Sequence, residues 1–233
     1  MPTDTRAATA TAKVNRRGRT EAASPSFESY LIKNTNINEA PGVELSLRQK
    51  LIVGSVLDTL GNREQLFEGH PTLKHLSLWS RDATFADPLT IATGYHQFAA
   101  QWYGLPAVFN PIRIQDHSVT SAGNPIELQL TNTYGLKGLN KEQTINSTVR
   151  IYIGRDQRIE RVEDRWNARQ AFRCLSYHFA PYGSWCDHQS AGAGGRIAFR
   201  KLNAVTVPRL ITVPGNEEED MRLKADREKS TGS

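Results

Sequence analysis

The sequence is poor in cysteine, in aromatic residues and in long apolar runs, and each shortage excludes something. Cys174 and Cys186 are the only cysteines in 233 residues. They are too few for a disulfide framework, so a reducing compartment is expected. No apolar stretch approaches the roughly 20 residues that a membrane-crossing helix needs, and the first residues lack the apolar core of a secretory signal. With 38% hydrophobic and 8% aromatic residues, the chain is lean for a compact globule, which points to polar ends diluting one ordinary domain. A one-signed charge excess is also missing from most of the chain. The net charge is +5, but Arg6, Lys13, Arg16, Arg17 and Arg19 against Asp4 and Glu21 place +3 of it in residues 1–21. The remainder is close to neutral, so nucleic acid is not an expected partner, and a basic tail laid on RNA or DNA is the lesser alternative. An Arg/Ala/Thr-rich start with few acids also has the composition of a transit peptide. A mitochondrial address therefore stands beside the cytoplasmic one.

What is there begins after a low-complexity Ala/Thr/Arg/Ser segment that can bury too little apolar surface to order itself. Residues 1–45 are thus expected to be a disordered basic tail and linker, with Pro41-Gly42 as the linker signal. A domain follows over 46–167. Ser46 is an N-cap candidate ahead of Leu47, Leu51, Val56, Leu57 and Leu60; the i,i+4 pairs among them form one core-facing stripe, and Gly61-Asn62 ends that helix. Pro71 suits the first turn of a second helix bearing Leu73, Leu76 and Trp79. The stretch W-S-R-D-A-T-F-A-D-P-L-T-I-A-T-G-Y-H, Trp79 to His96, reads as a helix end, a short strand closing at Asp87-Pro88, a loop, and Gly94 opening a third helix. That helix sets Tyr95, Phe98, Ala99 and Trp102 on one face before Gly104 and Pro106 stop it.

After Pro111 the period changes from helical to alternating. Ile112, Ile114 and Val119 mark one strand, and Ser121 to Pro125 a turn. Ile126, Leu128 and Leu130 alternate with polar residues through Tyr134, and Gly135 to Asn140 turns the chain again. Ile145, Val149, Ile151 and Ile153 mark a third strand, and Ile159 to Trp166 a fourth. Consecutive strands on short turns make an antiparallel meander. The fold class is therefore α+β, with three N-terminal helices packed on one face of a curved antiparallel sheet. Residues 168–198 read as an irregular insertion, or as translated intron sequence, because the composition changes abruptly there. Their Cys174, His178, Cys186 and His188 have a second spacing too short for usual structural zinc sites, so no metal is assigned. Residues 199–214 alternate apolar and polar residues with two prolines, as an edge segment laid over the domain or over a partner subunit would. The charged tail over 215–233 is a short helix or a solvated end.

This order resembles the NTF2-like superfamily, specifically its SnoaL-like branch of small cone-shaped domains. The resemblance runs from about Leu47 to Trp166 and rests on L-W-S-R-D-A-T-F-A-D-P, G-Y-H-Q-F and I-Y-I-G-R-D-Q-R-I-E-R-V-E-D-R-W. It looks most like fungal members of that group, in which K-L-N-A-V-T-V-P-R-L (Lys201 to Leu210) is similar to a usual C-terminal extension. The resemblance implies a small hydrophobic molecule held between helices and sheet, no cofactor, and a homodimer formed through the open sheet face. As an enzyme, it would isomerise, dehydrate or cyclise a polyketide- or terpenoid-like substrate by proton transfer. As a non-catalytic member, it would be a binding or dimerisation domain. Around A-T-F-A-D-P the segment is also similar to ketosteroid isomerase, whose site combines an Asp base with Tyr and protonated Asp donors. Asp87 falls at the base position. The helix-one Tyr would fall near Gly54 to Val56, where none is present. The second donor would fall near Asn146, which strict alternation turns away from Ile145 and Val149 unless a bulge intervenes.

The candidate catalytic residues are thus Asp87, Asn146 and Tyr134. For Asp87 the alternative is a turn former bonding its own backbone. Candidate ligand contacts are Trp79, Phe85, Tyr95, His96, Phe98, Trp102, Asn132, Asp164 and Trp166. The aromatics are core by default and pocket walls second, and His96 is otherwise an exposed helix residue. Asn132 and Tyr134 share the parity of Leu128 and Leu130 and should face inward, where polar groups need partners. Asp164 is the second carboxylate on that side.

Overall fold

Period-two sequence in the middle of the chain becomes a six-stranded sheet: β1 (Trp79–Ala86), β2 (Ile91–Thr93), β3 (Phe109–Ser121), β4 (Ile126–Leu136), β5 (Lys141–Ile153) and β6 (Ile159–Trp166). The computed structural model describes residues 37–57, 67, 70–138, 141–166 and 193–231, all inside the unit Ile32–Ser233. The strand order is β2-β1-β6-β5-β4-β3. Pairing is antiparallel except between β1 and β6. That parallel pair corrects the all-antiparallel expectation. β1 is separated from the meander by a helix, and a crossover of that length lets it return to the far side of β6 in the same direction. Bulges in β3 near Ile114 and Val119 shift the register and bend the sheet. Across the meander, Ile126 faces Ile151 and Val162 in register, and Leu128 faces Val149 and Asp164. Five of these six are fully buried apolar residues and form the sheet's half of the core. Asp164 is the exception.

Five helices are present among the described residues: α1 (Leu47–Leu57), α2 (Leu73–Leu76), α3 (Tyr95–Val108), α4 (Ala193–Leu210) and α5 (Glu217–Thr231). Ser46 and Gln49 exchange side-chain-to-backbone hydrogen bonds of 3.3 and 2.9 Å in a capping box at the start of α1. Its last seven residues are all buried, so α1 is enclosed rather than striped, while Leu47, expected on the core stripe, is 75% exposed. The second helix is one turn long, and Trp79 opens β1 instead of closing it. The stretch expected as a loop after Pro88 contains β2. α3 starts after Gly94, whose φ of 87° favours glycine, and it runs past both Gly104 and Pro106.

α4 replaces the expected edge segment. Its Ala204 is buried, and Gly104 of α3 lets it approach: a Cβ there would meet Ile211 at 3.1 Å and Val207 at 3.5 Å. Packing on α3 outweighs the strand preference of Val205, Thr206 and Val207. α5 is anchored by Asp220, which accepts hydrogen bonds from the Tyr103 hydroxyl at 2.7 Å and the Leu73 amide at 2.8 Å. Order also begins before Ser46. The Asn38 carbonyl accepts from the Val119 amide at 2.8 Å and the Ala40 amide donates to the Val119 carbonyl at 2.9 Å, which fixes residues 38–40 to the edge of β3. The expected insertion at 168–198, with its Cys174, His178, Cys186 and His188, lies outside the described residues but for the start of α4.

Candidate functional site

Alternation along β4, β5 and β6 turns Asn132, Tyr134, Ser147 and Asp164 to the same face as Leu128, Leu130, Val149 and Val162. On that face lies an aromatic group. The Trp102 ring sits 4.7 Å from Phe85, 4.9 Å from Phe67 and 6.2 Å from Trp79. Trp79 stacks on Phe98 at 4.9 Å, and Tyr95 meets Phe98 edge-on at 5.5 Å. The polar and aromatic parts are joined at Phe67. Asn132 donates to the Phe67 carbonyl at 2.8 Å and to the Tyr134 hydroxyl oxygen at 3.1 Å.

Several buried polar atoms in this region have no hydrogen-bond partner: Asp164 Oδ1, Asn132 Oδ1 and the indole Nε1 of Trp79 and of Trp102. Each belongs to a residue no more than 7% exposed. Orphans of this kind are rare in folded proteins, and water or a polar ligand is their ordinary complement. Asp164 is the most costly of them, being a carboxylate. Burial pushes its pKa up to about 7, against the opposing pull of a Ser147 hydrogen bond and with a further rise from the Asp87 charge. Burial likewise raises the Tyr134 phenol, helped by the charges of Asp164 and Asp87, so its proton stays in place as a donor.

Asp87 occupies the turn between β1 and β2. Its Oδ1 accepts from the Leu89 amide at 2.8 Å and the Thr90 amide at 2.5 Å, while its own amide donates to the Thr90 carbonyl at 3.0 Å. The Asp-Pro turn is closed by its own aspartate. Burial raises Asp87 to about 6, opposed by the two amides and by the charge of Arg200. The same turn is held from outside by α4, where Asn203 reaches the Leu89 carbonyl at 3.3 Å and Thr90 Oγ1 at 3.4 Å.

The fold brings Asp87, Tyr134, Asn132 and Asp164 into one electrostatic neighbourhood beside Trp79, Phe85, Phe98 and Trp102. It leaves two candidates outside. Asn146 is exposed on the opposite face, where its Oδ1 accepts from Thr131 at 2.9 Å. It pairs with Thr131 in unbroken β4–β5 register, so no bulge turns it inward. His96 is exposed at the start of α3. Tyr95 and Trp166 are half-buried at the margins. Sequence reasoning passed over Ser147 and Arg200. Ser147 shares the inward parity of Val149, a usable signal. Arg200 had none, because its segment was expected to be a strand.

The fold and its site define an α+β domain with a polar-lined, aromatic interior. No family model matches the chain, and no curated protein does. Solved structures do match. A phenazine biosynthesis-related protein from Pseudomonas aeruginosa is 14% identical, with 55% of this chain and 81% of that one covered and a TM-score of 0.45. An NTF2-like protein of unknown function from Exiguobacterium sp. 255-15 is 14% identical over 50% and 98%, at 0.40. A protein with a ketosteroid isomerase-like fold from Catenulispora acidiphila, in complex with trimethylamine, is 15% identical over 48% and 82%, at 0.38. At this level of identity and superposition the likeness assigns neither family nor activity, and function rests on the residues themselves. Among the described residues, no helix is long and apolar enough to cross a membrane, and no three His, Cys, Asp or Glu gather as metal ligands would.

Proposed function

We propose that the chain binds a small, mostly apolar molecule between its helices and the inward sheet face and moves a proton on it without a cofactor. The observation that carries this is Asp164, a buried carboxylate with an unpartnered oxygen. A base with a pKa near neutrality exchanges protons most effectively at neutral pH. Asp164 takes that role, and the Tyr134 hydroxyl donates to the oxyanion that builds up next to the carbon losing its proton. Asp87, the base implied by family resemblance, has Oδ1 committed to its turn and only Oδ2 left for a proton. It serves as the second carboxylate, and its charge helps hold Asp164 protonated. The indole N–H groups of Trp79 and Trp102 supply neutral donors for substrate oxygens. The reactions that fit are isomerisation, dehydration or ring closure of a polyketide- or terpenoid-like compound. A homodimer through the outer sheet face belongs to the same proposal.

A second reading, a binding domain without chemistry, is favoured by one observation: Asp87 closes its own turn. Purification with bound metabolites, mass spectrometry and assay of the compound found separate the two. Asp164→Asn should lower turnover by roughly a hundredfold or more while the compound still binds. Unchanged turnover removes Asp164 from the mechanism, and no turnover by the wild type leaves the binding domain.

A further inference from the structure

Arg200 is the one arginine that α4 brings to the Asp87 turn, and it is left unpaired. Among the described residues, its Nε is buried without a hydrogen-bond partner, and no ion pair there includes it. The neighbouring guanidinium groups differ. Arg161 and Arg165 both pair with Glu163, Arg165 at 2.6 Å, and Arg150 pairs with Glu127 at 2.7 Å. The charges that reach Arg200 are those of Asp87 and Glu163, which favour its cation, and that of Arg161, which opposes it. Glu163 is already shared by two arginines. Asp87 gives Oδ1 to backbone amides. Neither carboxylate is bonded to Arg200.

The position is built, not incidental. One turn further along α4, Asn203 fixes the helix to the Leu89 carbonyl and Thr90 Oγ1, and Ala204 is 1% exposed. Both contacts fall on the turn that Asp87 closes, so Arg200 is held at the carboxylate end of the site. A guanidinium taken partly out of water without a partner is unfavourable, and a bidentate anion satisfies it well.

We propose that Arg200 receives a carboxylate of the ligand, which makes the ligand a small amphipathic acid with its apolar body against the Trp79–Trp102 aromatic group. This rests on the pocket reading above and adds the charge of the ligand to it. Arg200 is a binding residue in this account. It selects acids over their neutral analogues.

The test compares 2-naphthoate with 2-naphthamide, which share a ring system and differ in charge, by calorimetry on the full chain at neutral pH. The wild type should prefer the acid. Arg200→Gln should weaken naphthoate by roughly tenfold to a hundredfold, as loss of a charged hydrogen bond implies, and leave naphthamide unmoved. Arg200→Lys should recover part of the loss. Circular dichroism melts report whether each variant is folded. If the amide binds as well as the acid, or Arg200→Gln weakens both equally, the acid proposal fails and the pocket stands. If neither probe binds the wild type, the pocket reading fails and takes this one with it. If Arg200→Gln does not fold, the comparison of Arg200→Lys with the wild type and the acid-to-amide ratio of the wild type decide the matter alone.

Discussion

Glu163 and Asp164 are neighbours on β6, both nearly buried at 6% and 7% exposure, and they live in opposite chemical worlds. Glu163 faces outward and is neutralised by Arg161 and Arg165. Asp164 faces inward to one serine hydrogen bond and an unpartnered oxygen. The contrast runs through the sheet. On the outer face, Thr131 meets Asn146 at 2.9 Å, Thr133 meets Thr144 at 3.0 Å, and Thr148 meets Gln129 at 3.1 Å. On the inner face, Asn132, Trp79 and Trp102 keep unpartnered atoms. Burial therefore does not explain the orphans, since Glu163 is equally buried and fully paired. An interior that leaves polar groups unmatched while the exterior matches them is the pattern of a site awaiting a ligand.

The largest effect expected from breaking this contrast is on the two carboxylates. Asp164 titrates at 3.8 when free and near 7 when folded. Below pH 3.8 both states hold the proton and nothing is lost. Between those values the unfolded chain releases it and the folded chain does not, so stability falls as pH rises, and the full loss is present above about 7. Asp164→Asn removes the titration and should stabilise the protein by about 3 kcal/mol above neutrality, with no gain at pH 3. Denaturant melts at both pH values check it; a gain independent of pH would mean that desolvation of Asp164 is not the cause. Glu163→Gln, on the other face, should do the reverse and destabilise by about 1–3 kcal/mol by leaving two guanidinium groups short of a partner.

A smaller effect separates the structural from the chemical part of Asp87. Asp87→Ala leaves the Leu89 and Thr90 amides without an acceptor and should cost about 1–3 kcal/mol. Asp87→Asn keeps an Oδ1 acceptor and should cost less than half as much. Equal losses in chemical denaturation would show that the charge, rather than the turn, stabilises the fold. The smallest effect belongs outside. Asn146→Ala removes one exposed contact to Thr131 and should change stability by less than about 0.5 kcal/mol, with ligand affinity unaltered. A marked loss of binding would move the site to the outer face and undo the contrast.

Much of this was legible before folding. Alternation located β4, β5 and β6 and assigned Asn132, Tyr134 and Asp164 inward and Asn146 outward, because side chains on a strand change face at every residue. Gly94 announced the start of α3, and Ser46 the start of α1. The same local logic failed where neighbours decide. The Arg200–Pro214 alternation became a helix because Gly104 offers α3 a close surface. Trp79 joined a strand because β6 was free to pair with it. Asp220, set in an acidic run that read as a solvated tail, became a buried acceptor for Tyr103 and the Leu73 amide. Periodicity belongs to the sequence, since it depends only on residues a few positions apart. Strand order, the parallel β1–β6 pair, the unpaired Arg200 and the raised pKa of Asp164 belong to the tertiary structure, since each depends on which distant groups exclude water or bring charge. Trp79 to Asp87 shows both: its alternation was written in the chain, but only packing decided that its aspartate would close a turn and its tryptophan wall an interior.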